Sequence, residues 1–290
     1  MAINESGTKI LLDGGDPAET KEIRGLLGRI DGQTTNPSLV AKNPVLKERI
    51  AAGHKLTVAE QKEEYKKIVQ SISPLVGTAG VSIEVFADMN TAGEEMLAQG
   101  IEMYTWVQNA YIKYPCTPGG LHAAEMSVRQ KMRVNMTLCF SQEQAAAVYA
   151  ATKGTQTPVY VSPFIGRLDD HGQNGIDLIK NIKRMYASGD GHVQVLAASI
   201  RSVTHLLSVF ATHAELATVP ATVLRKWAAA GCPIEQQDVP SQAEPDHPVL
   251  SGIVYRELDL DRPWQSFNIS HELTTKGIET FVADYRKTVS

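Results

Sequence analysis

The sequence is poor in cysteine and in long apolar runs, and it carries no nucleotide or metal-ligand signature. Its three cysteines, Cys116, Cys139 and Cys232, are far apart and form no CxxC pair, so neither a disulfide framework nor a thiolate zinc site is expected. The eight histidines make no HxH, HxxxH or HExxH arrangement, which leaves a zinc-dependent mechanism without visible ligands and predicts no metal. No apolar run approaches the ~18 residues that span a bilayer. The opening "MAINESGTKI" lacks the basic-then-apolar layout of a secretory leader. Together these absences predict a cytoplasmic protein with no membrane partner. An excess of one charge sign is missing too: 28 basic against 32 acidic residues leave −4. Clusters such as "KEEYKK" at 62–67 alternate in sign and read as a solvated helix face, which argues against a nucleic-acid partner.

What the chain does have is alternation. The 290 residues, 43% hydrophobic, are ample for a large core without staples. Short β-like runs are each followed by a helical stretch: "KILLD" (9–13), a short strand entering "DGQTTNPSL", "VSIEVF" (81–86), "AYIKY" (110–114), "RVNMTL" (133–138), "PVYVS" (158–162), "HVQVLAAS" (192–199) and "LATV" (216–219). After the first, Asp16 is placed to cap a helix with Pro17 at its first position. A helix-rich segment covers about 45–73, and "SQEQAAAVYAAT" begins with Ser141 as N-cap and Gln144 in the capping-box position. Most strands are apolar at successive positions, as parallel strands covered by helices are. Eight βα units predict a (β/α)8 TIM barrel; a doubly wound open sheet is the structural alternative, weakened by the lack of GxGxxG after the first strand. The barrel domain is expected to use the whole chain, 1–290, with 232–290 as a C-terminal extension on or beside it. That extension opens with the polar, proline-rich "CPIEQQDVPSQAEPDHPVLSG", a long loop, and ends in a helix from about His271 to Thr288. The helix could cap the barrel or reach a neighbouring subunit of a homo-oligomer.

Barrels of this kind collect chemistry at the C-terminal ends of their strands. The polar residues there are Asp13, Asn36, Glu84, Lys113, Asn135 with Thr137, Ser162 with Arg167 beyond it, and Ser199 with Arg201 beyond it. Asp13 and Asn36 precede turns, where Asx residues cap helices routinely, and either arginine could be a surface residue. Glu84 and Lys113 are harder to dismiss, because each interrupts an apolar strand and an unpaired buried charge costs several kcal/mol. A buried Glu–Lys ion pair is the bland explanation. The chemical one is a lysine whose confinement favours the neutral amine, which attacks a carbonyl to give an imine that acts as an electron sink. Such a reaction needs carboxylates for proton transfer, which Asp13 and Glu84 supply, and a hydroxyl such as Thr137 to position water. Arg167, Arg201 and Ser199 suit a terminal phosphate. The strand ends thus point to a carbonyl-processing enzyme acting on a phosphorylated substrate.

Five stretches, "DGQTTNPSL", "YIKYPCTPGG", "VNMTLCFS", "VSPFIGRLDD" and "AASIRS", resemble, in the same order, the motifs of the transaldolase family. The resemblance covers roughly residues 8–225. It implies a class I mechanism without metal or cofactor, in which a dihydroxyacetone unit passes from a ketose phosphate, such as fructose 6-phosphate or sedoheptulose 7-phosphate, to an aldose phosphate. It implies further that Lys113 forms the Schiff base, that Asp13 works on the hydroxyl beside the broken bond, and that Glu84 and Thr137 hold the catalytic water. Asn36, Asn135 and Ser162 would then bind the sugar, and Arg167, Ser199 and Arg201 its phosphate. The sequence departs from the family pattern at Gln33, Tyr114, Cys116, Gly119 and Ser202 and in the run "RQKMRVN". Tyr114 and Cys116 flank the lysine and are expected to alter pocket size or substrate choice. Two other readings stand beside transfer: a related aldolase that releases dihydroxyacetone, and a non-catalytic sugar-phosphate-binding barrel. Resembling aldolases carry glutamine where Glu84 stands, which favours transfer, and a binding protein would not require the acid–base set.

Overall fold

A computed structural model describes residues 6–53, 55–235 and 250–289. Eight parallel strands close into a barrel in sequence order: β1 (Lys9–Asp13), β2 (Gly32–Thr34), β3 (Gly80–Glu84), β4 (Ala110–Pro115), β5 (Val134–Cys139), β6 (Val159–Pro163), β7 (Val193–Ala197) and β8 (Leu216–Pro220). The helices that separate them are α1 (Pro17–Leu27), α2 (Pro37–Ala41), α3 (Pro44–Ala51), α4 (Val58–Ile72), α5 (Gly93–Tyr104), α6 (Pro118–Arg129), α7 (Gln142–Ala151), α8 (Ile165–Asp169), α9 (Gly175–Tyr186), α10 (Val203–Ala211) and α11 (Ala221–Ala229). The (β/α)8 architecture is therefore present, with β8 pairing to β1 over Lys9–Asp13 and Leu216–Pro220; the doubly wound alternative is excluded by that closure. No helix among the described residues is long and apolar enough to cross a membrane.

Local chemistry explains most boundaries. Asp16 caps α1 by accepting from Ala18 N–H at 2.9 Å, ahead of Pro17. The helix-rich segment splits in two because Thr57 and Glu60 form a reciprocal capping box that starts α4 afresh. The capping box expected at Ser141 is only half made. Ser141 Oγ accepts from Gln144 N–H at 3.1 Å, but the Gln144 side chain turns to Phe140 N–H at 2.7 Å, Thr274 and Ile269, tying the loop after β5 to the C-terminal segment.

Strand alternation divides the core into two layers. On β4, Tyr111 points into the barrel, where with Leu11, Ala79, Tyr160, Leu196 and Leu216 it closes the N-terminal end. Tyr111 and Tyr160 stack at 4.2 Å there. Ile112 and Tyr114 point outward into the larger core between strands and helices. Lys113 falls on the inward set, one layer above Tyr111, at the open end.

Of the polar stretch read as a loop, residues 236–249 lie outside the described residues. From Leu250 the chain runs over the outside of the barrel: Ser251 bridges Gln173, Ile253 accepts from Asn181 Nδ2 at 2.8 Å, and Arg256 N–H donates to Gln142 Oε1 at 3.0 Å. Then α12 (Glu272–Thr288), capped by His271, lies across the open end. It packs on α2 and β5 of the same chain.

Candidate active site

Register brings the charged strand ends together. Glu84 of β3 lies beside Lys113 of β4, Lys113 beside Asn135 of β5, and Pro115 beside Thr137. Glu84 and Lys113 are each only 3% exposed. Lys113 Nζ sits 3.0 Å from Glu84 Oε2 and donates to the Thr35 carbonyl at 3.1 Å. The contact to Oε2 is an ion pair. Thr137 Oγ1 is a buried oxygen with no hydrogen-bond partner among the described residues, and Glu84 Oε2 has only the Lys113 ammonium beside it. Desolvation pushes the Glu84 carboxyl above the ordinary carboxylate range; the Lys113 ammonium opposes this and the charge of Asp13 adds to it. A carboxyl in that condition can take up and give back a proton at moderate pH.

Asp13 ends β1 on the other side of the cavity. Its Oδ1 accepts from Thr34 Oγ1 at 2.7 Å, and since that proton is spent, Thr218 donates to Thr34 Oγ1 at 2.5 Å. Solvent reaches part of Asp13 through the cavity, yet protein surrounds the carboxyl. Burial raises its pKa, and the Lys113 ammonium and then the Thr34 hydroxyl pull it back. Asn36 keeps its bland role, because its Oδ1 caps α2 through Leu39 N–H at 2.8 Å; its amide nitrogen is the end left for a ligand. Lower down, Ser162 Oγ donates to Asn135 Oδ1 at 2.7 Å and Asn135 Nδ2 donates to Ser82 Oγ at 3.1 Å, which fixes the Asn135 amide.

A cavity of about 250 Å³ is lined by Asp13, Asn36, Lys113, Thr137, Ser162, Arg167, Ser199 and Arg201, among others. Glu84 opens instead on an adjoining apolar cavity of about 200 Å³ that includes Phe86, Phe281 and Tyr285. The larger cavity brings Asp13, Lys113 and Thr137 of the strand ends together with the guanidinium groups of Arg167 and Arg201. Arg167 lies between two rings, 5.3 Å from the centroid of Phe164 and 5.7 Å from that of Phe281 on α12. Burial and then the neighbouring Arg201 lower the Arg167 pKa, against the opposing pull of Glu84, Asp170 and Asp13. Arg201 Nη2 reaches Asp170 at 2.7 Å with about half its side chain exposed. Ser199 takes a positive φ of 63°, and a Cβ on Gly166 would stand 2.0 Å from the Ser199 carbonyl oxygen. Only glycine lets the start of α8 approach the end of β7 closely enough to put Arg167 and Arg201 on one wall.

Residues 10–290 match the family model described as transaldolase/fructose-6-phosphate aldolase. The chain belongs to that family. A relative in Dehalococcoides mccartyi named probable transaldolase is 39% identical over 72% of this chain and 86% of its own length. Proteins of the same name in Brucella ovis and Parabacteroides distasonis are 33% and 34% identical, each over 94% of this chain and 95% and 96% of their own. The family match also takes in the C-terminal extension, beyond the 8–225 over which motifs were legible. Among solved structures, the tryptophan synthase α-subunit of Pyrococcus furiosus superposes with a TM-score of 0.45 at 14% identity over 80% of this chain and 94% of that one.

Within this family member, ten sequence-predicted residues converge on one end of the barrel. Eight of them line the larger cavity, while Glu84 opens on the adjoining one and Asn135 is bonded to Ser162 of the lining. The expectation for Tyr114 and Cys116 is corrected. Both are buried in the outer core, Tyr114 Oη pairing with Ser127 Oγ at 2.9 Å and Cys116 lying near Gln144 and Cys139. Neither lines the cavity, because the strand pleat that turns Lys113 inward turns Tyr114 outward. Gln33 is also spoken for, accepting from Thr20 Oγ1 at 2.9 Å and donating to the Gly14 carbonyl at 3.0 Å. Sequence reasoning missed Thr34, Thr35, Ser82 and Thr218, although hydroxyls on or just beyond β2, β3 and β8 were a visible signal. It also missed Tyr65, Phe164 and Phe281, apolar in their own segments and significant only through tertiary contacts.

Proposed function

We propose that this protein is a transaldolase that moves a dihydroxyacetone unit from a ketose phosphate to an aldose phosphate through a Schiff base on Lys113. The observation that carries the reading is a buried lysine, paired with Glu84, in the lining of a cavity that also bears two arginines. A ketose phosphate bound with its phosphate on Arg167, Arg201 and Ser199 would place its carbonyl toward Lys113. The neutral amine adds to C2, and Glu84, with Thr137 holding the water, protonates the departing hydroxyl to leave an iminium. Asp13 then takes the proton of the C4 hydroxyl. The C3–C4 bond breaks, its electron pair flows into the iminium, and the aldehyde leaves with the phosphate. Addition of the retained three-carbon enamine to an incoming aldose phosphate reverses these steps, and water returned through Glu84 and Thr137 frees Lys113. Asn36, Asn135 and Ser162 hold the hydroxyls of the three-carbon unit. On this reading the enzyme serves pentose phosphate interconversion in the cytoplasm.

The test is a coupled assay with fructose 6-phosphate, with and without erythrose 4-phosphate, together with borohydride reduction and peptide mapping. Turnover that requires the acceptor, with the three-carbon adduct on Lys113, is the expected result. Release of dihydroxyacetone without acceptor would instead make it an aldolase, and labelling at any other lysine would end the Schiff-base assignment.

A further inference from the structure

Tyr65, on α4 outside the barrel, is fully buried and its ring is held edge-on by Phe86 and Trp106 at 6.0 and 5.7 Å. Its hydroxyl reaches between β2 and β3. Glu84 N–H donates to Tyr65 Oη at 3.0 Å, and Tyr65 Oη lies 2.6 Å from Thr35 Oγ1. Thr35 Oγ1 in turn donates to the Ser82 carbonyl at 2.8 Å. A carbonyl cannot donate, so the threonine's one proton is committed there, and the proton between Tyr65 and Thr35 must come from the tyrosine. The chain of bonds therefore has one direction: Glu84 N–H to Tyr65, Tyr65 O–H to Thr35, Thr35 O–H to Ser82. Burial pushes the Tyr65 phenol far up, so the phenol keeps the proton that this direction requires.

The residues on either side of Tyr65 in that chain are the two attachments of Lys113. Its ammonium touches the Glu84 carboxylate and the Thr35 carbonyl, and Tyr65 bonds the backbone of the first residue and the side chain of the second. We infer that Tyr65 is a positioning residue, which sets the spacing between Glu84 and Thr35 and thereby aims the Lys113 amine. The inference rests on the proposed function for its kinetic consequence but not for its chemical one. Phenylalanine at this position would keep the ring packing and strand two polar groups, the Glu84 N–H and the Thr35 oxygen.

The experiment compares the intact wild-type protein with Tyr65→Phe and with Trp106→Phe, which loosens the same ring without touching a polar group. Two measurements are made. The first is turnover of fructose 6-phosphate with erythrose 4-phosphate. The second, independent of turnover, is the pH dependence of Lys113 labelling by trinitrobenzenesulfonate, read by peptide mass spectrometry. For Tyr65→Phe the expected result is kcat lower by about tenfold, since small misplacement of a reacting group is costly, KM within about twofold, and a displaced labelling profile. Trp106→Phe should lower the melting temperature and move neither. A Tyr65→Phe labelling profile that overlays wild type overturns the inference. A displaced profile in an inactive wild type would leave the inference standing and refute the proposed reaction.

Discussion

Asp13 and Glu84 sit where a carboxylate is poorly solvated, so both have raised pKa values. For an acid whose folded pKa exceeds its unfolded one, the folded state binds the extra proton in the window between the two. Stability is then lost as pH rises through that window and stays lost above it. Asp13 therefore costs the fold stability at pH 8 and nothing well below ~4, the ordinary aspartate value. Asp13→Asn keeps an oxygen for Thr34 and removes the charge. It should melt higher than wild type at pH 8, with the gap closing as pH falls toward ~4, while turnover collapses; active-site groups commonly trade stability for activity in this way. Thermal melts at several pH values measure the gap, and one that widens toward acid would contradict the burial argument. Glu84 is not the place for the same test, because its removal would strand the Lys113 ammonium.

Elements were legible from the sequence where the cause was local. Asp16 and His271 announce helix starts through bonds made within two residues and Pro17 through its fixed φ, and the apolar runs of β4 and β5 with polar interruptions mark both strand and site. Pointing direction was less legible: Tyr114 beside Lys113 looked like a pocket residue, yet strand period sends it into the α5–α6 layer. There its hydroxyl lies against Gly100, where an added Cβ would stand 2.0 Å from Tyr114 Oη and 3.0 Å from the ring carbon that bears it. Alanine should improve helix propensity by up to about 1 kcal/mol, but overpacking here should outweigh that, with Gly100→Ala losing about 2 kcal/mol. Tyr114→Phe removes the nearest atom, so Gly100→Ala should cost clearly less in that background. Urea unfolding of the four proteins gives the coupling directly. Additive effects would show that Gly100 makes no room for the tyrosine.

At the scale of the molecule, the barrel is assembled from successive neighbours, but its site is completed by a helix from the far end of the chain. Nothing in the composition of α12 announces this, since an amphipathic helix after a polar loop can dock anywhere apolar. What decides its place is a set of long-range bonds: Ser38 Oγ to Asp284 Oδ2 at 2.5 Å, Thr274 Oγ1 to the Leu138 carbonyl at 2.9 Å, and Leu56 N–H to the Thr288 carbonyl at 3.0 Å. They seat Phe281 against the guanidinium of Arg167, opposite Phe164, and place Thr280, Phe281 and Asp284 in the wall of the larger cavity. Phe281→Leu retains most of the apolar volume and removes the π face, whose attraction for a guanidinium is worth ~0.5–2 kcal/mol. Arg167 is then less well aimed at a phosphate. KM for fructose 6-phosphate should rise about fivefold, a ratio that corresponds to roughly 1 kcal/mol, with the melting temperature little changed. Borohydride trapping of Lys113 with unphosphorylated dihydroxyacetone should proceed at the wild-type rate, because that ligand makes no demand on Arg167. Equal losses with both ligands would mean that α12 supports the barrel mouth as a whole and not the phosphate wall in particular.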